Sequence, residues 1–253
     1  MPVVLLAAGL GSRLGSLTER LPKALIAVAG EPLLAYAVRF AQAVQGAGRG
    51  GGGGSGDGDI GGDIIVVAGF GYELVAAEVA TRRLPVTLVR NPDFKDGNLV
   101  SLFASRAHLG GAGFLLMNVD HIYRPAIAAV VAPAADDVTA FVDQDRTLGD
   151  DDMKVALDGQ GRVRRISKTL TSFDRGYVGM TKVPAAAAAR YWAAADRALG
   201  EEGRAIHVER VLARLAESGR PPLTRDISGH GWLEVDLPEE RERAELALRA
   251  GTW

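Results

Sequence analysis

An apolar run at Val3–Ala8 breaks directly into Gly9-Leu10-Gly11-Ser12-Arg13, and Pro22-Lys23 follows shortly after. A buried strand ending in a glycine-rich turn presents backbone N–H groups to an anion, and cations beside the turn add charge from the sides. The spacing therefore points to a nucleotide-phosphate site at the N-terminal end of the chain.

Two common phosphate loops do not fit. A Walker A loop needs Gly, four residues, then Gly-Lys-Ser/Thr. Here Gly9 is followed by Leu14 at the decisive position, with no Lys-Ser or Lys-Thr nearby. The dinucleotide fingerprint Gly-x-Gly-x-x-Gly fails at Leu14 as well, and Glu31 stands in a Gly-Glu-Pro turn rather than at a strand end.

Apolar runs at Ile64–Ala68, Val86–Val89, Phe114–Met117 and Val138–Val142 predict further strands. Helical patterns at Leu33–Val44, Tyr72–Arg82, Leu99–Leu109 and Pro125–Ala132 lie between them. Strands alternating with helices imply a largely parallel sheet covered on both faces. Shorter, partly antiparallel strands are expected at Met153–Leu157, Val163–Lys168 and Val178–Val183, with a last one at Leu233–Val235. Pro184–Leu199, Ile206–Ser218 and Pro238–Ala250 read as helices.

With 253 residues, 47% of them hydrophobic, the chain can build a sizeable α/β core. A formal charge of −2 and no long basic run argue against a nucleic-acid partner. The absence of cysteine removes disulfides and thiolate metal sites. MPVVLLAAG lacks a basic leader and is too short to span a membrane, so a soluble cytoplasmic protein is expected. The glycine-rich segment at about 46–62 cannot support a core and reads as a flexible surface insertion within one domain spanning 1–253.

Taken together, Ala-Ala-Gly-Leu-Gly-Ser-Arg-Leu, then Pro-Lys, then Val-Ala-Gly-Glu-Pro-Leu-Leu resemble the signature of the nucleotidylyltransferases. These enzymes join a nucleoside triphosphate to a phosphorylated small molecule and release pyrophosphate. The resemblance covers nearly the whole chain and implies a three-layer α/β/α Rossmann-like fold with a mixed, mostly parallel sheet. Within the family, residues 91–106, 117–123, 150–170 and 231–240 resemble the cytidylyltransferases acting on inositol-1-phosphate, phosphocholine and aminoethylphosphonate, with Asp120-His121-Ile122-Tyr123 most like the inositol-1-phosphate type.

The resemblance implies roles position by position. Leu6, Ala7, Ala8, Gly9, Gly11 and Ser12 would hold the nucleotide through the loop, with Asn98 and Ser101 near the base. Arg13 and Lys23 would bind the triphosphate and, with Asp120, carry catalysis. Asp120 and Asp236 would bind Mg²⁺, the implied cofactor. Lys168, Lys154, His121, Tyr123 and Glu234 would form the acceptor site. On the residues alone, Asp120 could be a turn or cap residue, Asp236 a helix N-cap, Ser101 an ordinary helix residue and Lys154 a solvated edge charge. An amine acceptor would want an aromatic cage or extra acids, to which Tyr123, Phe173, Asp174 and Tyr177 could contribute.

A phosphate dianion is already a nucleophile, so no Ser-His-Asp arrangement is required; positioning and charge neutralisation suffice. Asn118-Val119-Asp120 lacks the first acid of the Asp-x-Asp used by many glycosyltransferases. His108 and His207 fall in predicted helices and His230 in a turn, with no metal-ligand spacing among them. The expected partners are CTP and a small phosphorylated alcohol, without nucleic acid or membrane, and a homodimer is compatible with the chain. The alternatives are a sugar- or cyclitol-phosphate uridylyl-, thymidylyl- or guanylyltransferase, and a non-catalytic nucleotide-binding regulator of the same fold.

Overall fold

The computed structural model describes residues 1–48 and 63–251. From the N-terminus run β1 (Val3–Ala7), the short hairpin β2 (Ala27–Val28) and β3 (Glu31–Pro32), α1 (Leu33–Ala47), β4 (Ile64–Ala68), α2 (Tyr72–Arg82), β5 (Thr87–Arg90), α3 (Asn98–Leu109) and β6 (Phe114–Asn118). The middle of the chain adds β7 (His121–Tyr123), α4 (Ile127–Val131), β8 (Thr139–Asp143), β9 (Lys154–Leu157), β10 (Val163–Ser167) and β11 (Arg175–Val183). It closes with α5 (Ala185–Glu202), α6 (Glu209–Glu217), β12 (Leu223–Asp226), β13 (Trp232–Glu234) and α7 (Pro238–Arg249). Most of the glycine-rich insertion expected at 46–62 lies outside the described residues; its first residues belong to α1.

β1 is buried at all of its positions and has parallel partners on both sides, β4 and β6. The main sheet runs β10-β9-β11-β6-β1-β4-β5, with β8 also paired to β11 and β12 to β8. The strands from β6 to β5 are mutually parallel, while β11 is antiparallel to β6, β8 and β9. The two-residue period of the strands divides the core. Val4 and Leu6 join Ile65, Val67, Phe114 and Leu116 on one face, packed by side chains of α3, α5 and α6. Val3, Leu5 and Ala7 join Ile64, Val66, Leu115 and Met117 on the other, under α1 and α4. This is the three-layer architecture expected.

The register fixes the site. Leu6 pairs with Asn118, so β1 and β6 end side by side at the C-terminal edge of the sheet, where open α/β sheets bind ligands. The loop after β1 and the turn after β6 therefore face each other. Beyond that turn β7 pairs antiparallel with β13, Glu234 opposite His121, and Val235 donates its N–H to the Asp120 carbonyl at 3.0 Å. That two-stranded ribbon brings Asp236 to the same edge. Among the described residues no helix is long and apolar enough to cross a membrane.

Candidate active site

Lys23 stands at the centre. It begins a single 3₁₀ turn after Pro22, and its ammonium donates to Asp120 at 2.6 Å and to Asp236. The side chain is nearly buried. Burial alone would lower its pKa, but the two carboxylates more than offset this and raise it. Asp120 is held far below the usual carboxylate range: burial opposes ionisation, and Lys23 and His121 override it.

The glycine loop is packed against this lysine. Gly11 has φ 66°, and a Cβ there would come within 2.9 Å of the Lys23 Cβ. Thr18 ties the loop down by donating its hydroxyl to the Gly11 carbonyl at 2.7 Å. Gly11 therefore meets two demands, left-handed backbone and close approach, that no side chain satisfies together. Arg13 leaves the loop to pair with Asp236 and Asp151, and Asp151 also pairs with Lys168 at 3.2 Å. Asp236 is not an N-cap. Leu237 occupies the N-cap position of α7, and the Asp236 carboxylate turns instead to Lys23 and Arg13.

His121 lies in a stack, its ring 5.0 Å from the Trp232 ring and 5.8 Å from the Tyr123 ring. Its Nδ1 is 2.6 Å from an Asp120 oxygen. Burial would depress its pKa, yet the adjacent Asp120 charge raises it. Arg146 covers the other members of the ribbon, 4.5 Å from the Trp232 ring centroid and bonded to Glu234 at 2.9 Å. Trp232 in turn donates its indole N–H to the buried Asp143.

Two hollows meet at Asp120. The smaller is lined by Leu6, Ala7, Ala8, Gly9, Lys23 and Ser101. The larger contains Arg13, Lys168, His121, Glu234 and Asp236. Asn98, Asn118 and Asp120 border both. The structure thus brings together nearly all the residues expected at the nucleotide. Ser101 is buried there and accepts a hydrogen bond from Asn91 at 2.9 Å. Asn98 is held by accepting the Val208 N–H at 2.8 Å. Gly11 and Ser12 belong to the loop but are not on the wall of either hollow.

Two expected acceptor residues are elsewhere. Tyr123 is buried and donates its hydroxyl to the Val178 carbonyl, so the phenol is spent inside the core. Lys154 is also buried, and its ammonium donates to the carbonyls of Gly149 at 2.6 Å and Lys168 at 2.9 Å. It is neither the solvated edge charge of the plain reading nor a cleft residue. Of the residues considered for an amine cage, only Tyr177 lines the cleft. Phe173 is exposed beside Lys154, and Asp174 accepts the Leu157 N–H.

Other cleft residues carried no expected role. Asp151 and Asp152 come from the Asp-rich turn before β9, and Gly179 from β11. His207 and Glu209 arrive by a different route. Gly97 and Leu99 donate their N–H groups to the carbonyls of Arg204 and Ile206, strapping the segment before α6 onto the start of α3. His207 therefore precedes the helix instead of lying within it. The cue in the sequence was faint, since an acid in a helix's first turn is ordinary.

The chain is similar to known proteins along most of its length. Residues 3–218 match the MobA-like NTP transferase domain. A bifunctional IPC transferase and DIPP synthase of Rubrobacter xylanophilus is 30% identical over 95% of this chain and 50% of its own length. The CMP-5'-(3-aminopropyl)phosphonate synthase of Streptomyces rubellomurinus is 30% identical over 96% of this chain and 38% of its own. The chain thus spans half or less of these two curated relatives. Among solved structures, the inositol-1-phosphate CTP transferase of T. maritima superposes with a TM-score of 0.73 at 18% identity, covering 97% of this chain and 96% of that one. The CTP:phosphocholine cytidylyltransferase of Streptococcus pneumoniae gives 0.72 at 21%, covering 97% and 98%. At such identities these two speak for the fold. The family match runs from the first strand through the glycine loop, Lys23 and Asp120 to the end of α6, and the chain belongs to the MobA-like NTP transferase domain family.

Proposed function

We propose that the protein transfers a cytidylyl group from CTP to the phosphate or phosphonate of a small alcohol, releasing pyrophosphate. The observation that carries this reading is the pair of hollows joined at Asp120, with Lys23 on the wall of one and Arg13 and Lys168 on the wall of the other. A triphosphate in the first and a phosphate in the second would meet beside the same carboxylate. The choice of cytosine is supported by the 30% identical relatives, whose names include a CMP-phosphonate synthase.

Asp120 and Asp236 converge on one cation, the Lys23 ammonium. Among the described residues no group of three or more His, Cys, Asp or Glu forms a metal cage. Two carboxylates completed by substrate phosphates and water are a donor set suited to Mg²⁺. The residues fit that ion, which when bound would neutralise phosphate charge.

In the reaction an acceptor phosphate oxygen bonds to the α-phosphorus of CTP as the bond to the bridging oxygen of the β-phosphate breaks. The electron pair leaves with pyrophosphate, and no proton need move. Lys23 and Arg13 hold the phosphates in line and offset the charge on the leaving group. Lys168 orients the attacking phosphate, and His121, fixed by its ring stack, holds Asp120 in place.

The test is pyrophosphate release with each of the four nucleoside triphosphates, Mg²⁺ and a panel of phosphorylated alcohols and sugar-1-phosphates. The expected result is a CDP adduct. A UDP, dTDP or GDP sugar would instead favour the sugar-phosphate alternative, and tight nucleotide binding without any turnover would favour a regulator. Cytoplasmic location and a homodimer complete the proposal, and fractionation and sedimentation would check them.

A further inference from the structure

Six carboxylates line the larger hollow: Asp120, Asp151, Asp152, Glu209, Glu234 and Asp236. Five sit in ion pairs, Asp120 and Asp236 with Lys23, Asp151 with Arg13 and Lys168, and Asp152 and Glu234 with Arg146. Glu209 has no such pair among the described residues, although it is only 8% exposed. Its carboxylate accepts from its own backbone N–H and lies within electrostatic reach of His207 and Lys168 without bonding to either.

The surroundings make that isolation costly. Val208, Val211, Leu212 and Leu215 of the same segment are buried in the core, so the carboxylate stands where its helix is otherwise apolar. Partial removal of an ionised group from water without an ion-pair partner is unfavourable, and burial, helped by the nearby Asp120 charge, pushes its pKa up against the pull of its own N–H, His207 and Lys168. A mostly buried carboxylate that lacks a cationic partner, on the wall of a substrate cavity, is a recognition element that a ligand completes. Its four lone-pair positions accept hydrogen bonds and attract positive charge.

We propose that Glu209 selects the acceptor by binding a hydroxyl or ammonium group on its organic part, while Lys168 takes the phosphate. The inference rests on the cytidylyl-transfer reading of this cleft. It predicts an acceptor class: a small phosphate or phosphonate ester carrying a hydrogen-bond donor on its carbon skeleton, as opposed to a plain alkyl phosphate. A site built to bond such a group penalises a ligand that leaves it unmet.

The experiment compares kcat/KM for inositol-1-phosphate, ethanolamine phosphate and propyl phosphate in wild type, Glu209→Gln and Glu209→Leu, with CTP saturating. Wild type should prefer one of the donor-bearing acceptors over propyl phosphate by about 100-fold or more. Glu209→Leu should reduce that preference to less than about tenfold while the KM for CTP stays within about twofold. Glu209→Gln separates the two chemistries: an ammonium acceptor loses most of its advantage, whereas a neutral polyol keeps it. Both variants should melt no lower than wild type, since an uncompensated charge has been removed. A preference that survives in Glu209→Leu, or that shrinks only alongside a lower melting temperature and a raised KM for CTP, would overturn the assignment. A wild-type enzyme that makes no adduct from any acceptor and any nucleoside triphosphate would remove the cytidylyl-transfer reading and this one with it.

Discussion

Lys23 lies 2.6 Å from Asp120, a residue 97 positions further along the chain. The contact exists because β1 and β6 are neighbours in register, so the loop after one and the turn after the other share an edge. With Asp236 on its other side, the ammonium lies between the two carboxylates proposed to hold Mg²⁺.

Substitution Lys23→Ala should therefore separate two properties. Transition-state stabilisation should fall by about 3 kcal/mol, a loss of roughly 100-fold in kcat/KM. Affinity for a divalent ion alone should rise, because Asp120 and Asp236 no longer have a competing cation between them. Calorimetric titration with Mn²⁺ in the absence of nucleotide checks this, and equal or weaker binding by the variant would contradict the competition.

The same pair should make stability sensitive to acid. Asp120 has its pKa depressed in the folded state, and Lys23 has its pKa raised. Below its unfolded value of 3.8 the Asp120 carboxyl takes up a proton in the unfolded chain but not in the folded one. Stability contributed by Asp120 is thus fully present above that value and is lost as pH falls below it. Stability contributed by Lys23 is present below 10.5 and is lost only as pH rises past it. Melting temperatures of wild type should be level with respect to this pair near neutrality and fall steeply in acid. Asp120→Asn should show a shallower acid slope; an unchanged slope would place the acid sensitivity elsewhere.

Strands buried on both faces were plain in the sequence, because β1, β4 and β6 are unbroken apolar runs and nothing else explains such runs beside a glycine turn. The ribbon of β7 and β13 was only half visible: β13 could be foreseen, but its partner is three residues long and its pairing spans more than a hundred positions. β12, with the sequence Leu-Thr-Arg-Asp and no buried run, gave no signal. At the site, the glycine loop and its two cations were legible because their spacing is local. Tyr123 and Lys154 were misplaced because residue type does not reveal whether a polar tip meets a ligand or a backbone carbonyl. The direction of each side chain is decided by neighbours from distant strands, Val178 for one and the Gly149 and Lys168 carbonyls for the other.

That correction has its own test. Tyr123→Phe removes one buried hydrogen bond and leaves the ring stack, so stability should fall by about 1 kcal/mol with the acceptor KM unchanged. Lys168→Ala, in contrast, should raise the acceptor KM by about tenfold or more with little change in melting temperature, since the side chain is partly exposed and its pair with Asp151 lies at the surface. Steady-state kinetics and thermal melts on the two variants check both. An acceptor defect in Tyr123→Phe would return that phenol to the cleft.

Gly179 offers a sharper probe of how the ring stack is held. It lies in β11 with φ 68°, and a Cβ there would come within 2.8 Å of His121. Gly161, in the turn between β9 and β10, has φ 73° but open space around the same position. Both alanine variants bear the left-handed backbone cost of about 1 kcal/mol, and only Gly179→Ala also pushes the imidazole off Asp120. Its total destabilisation should reach about 2–3 kcal/mol, with kcat falling by about tenfold or more. Gly161→Ala should melt slightly lower and turn over normally. Denaturant unfolding beside steady-state kinetics distinguishes the cases. Equal losses in the two variants would mean that His121 tolerates displacement and that its contact with Asp120 does not govern the reaction.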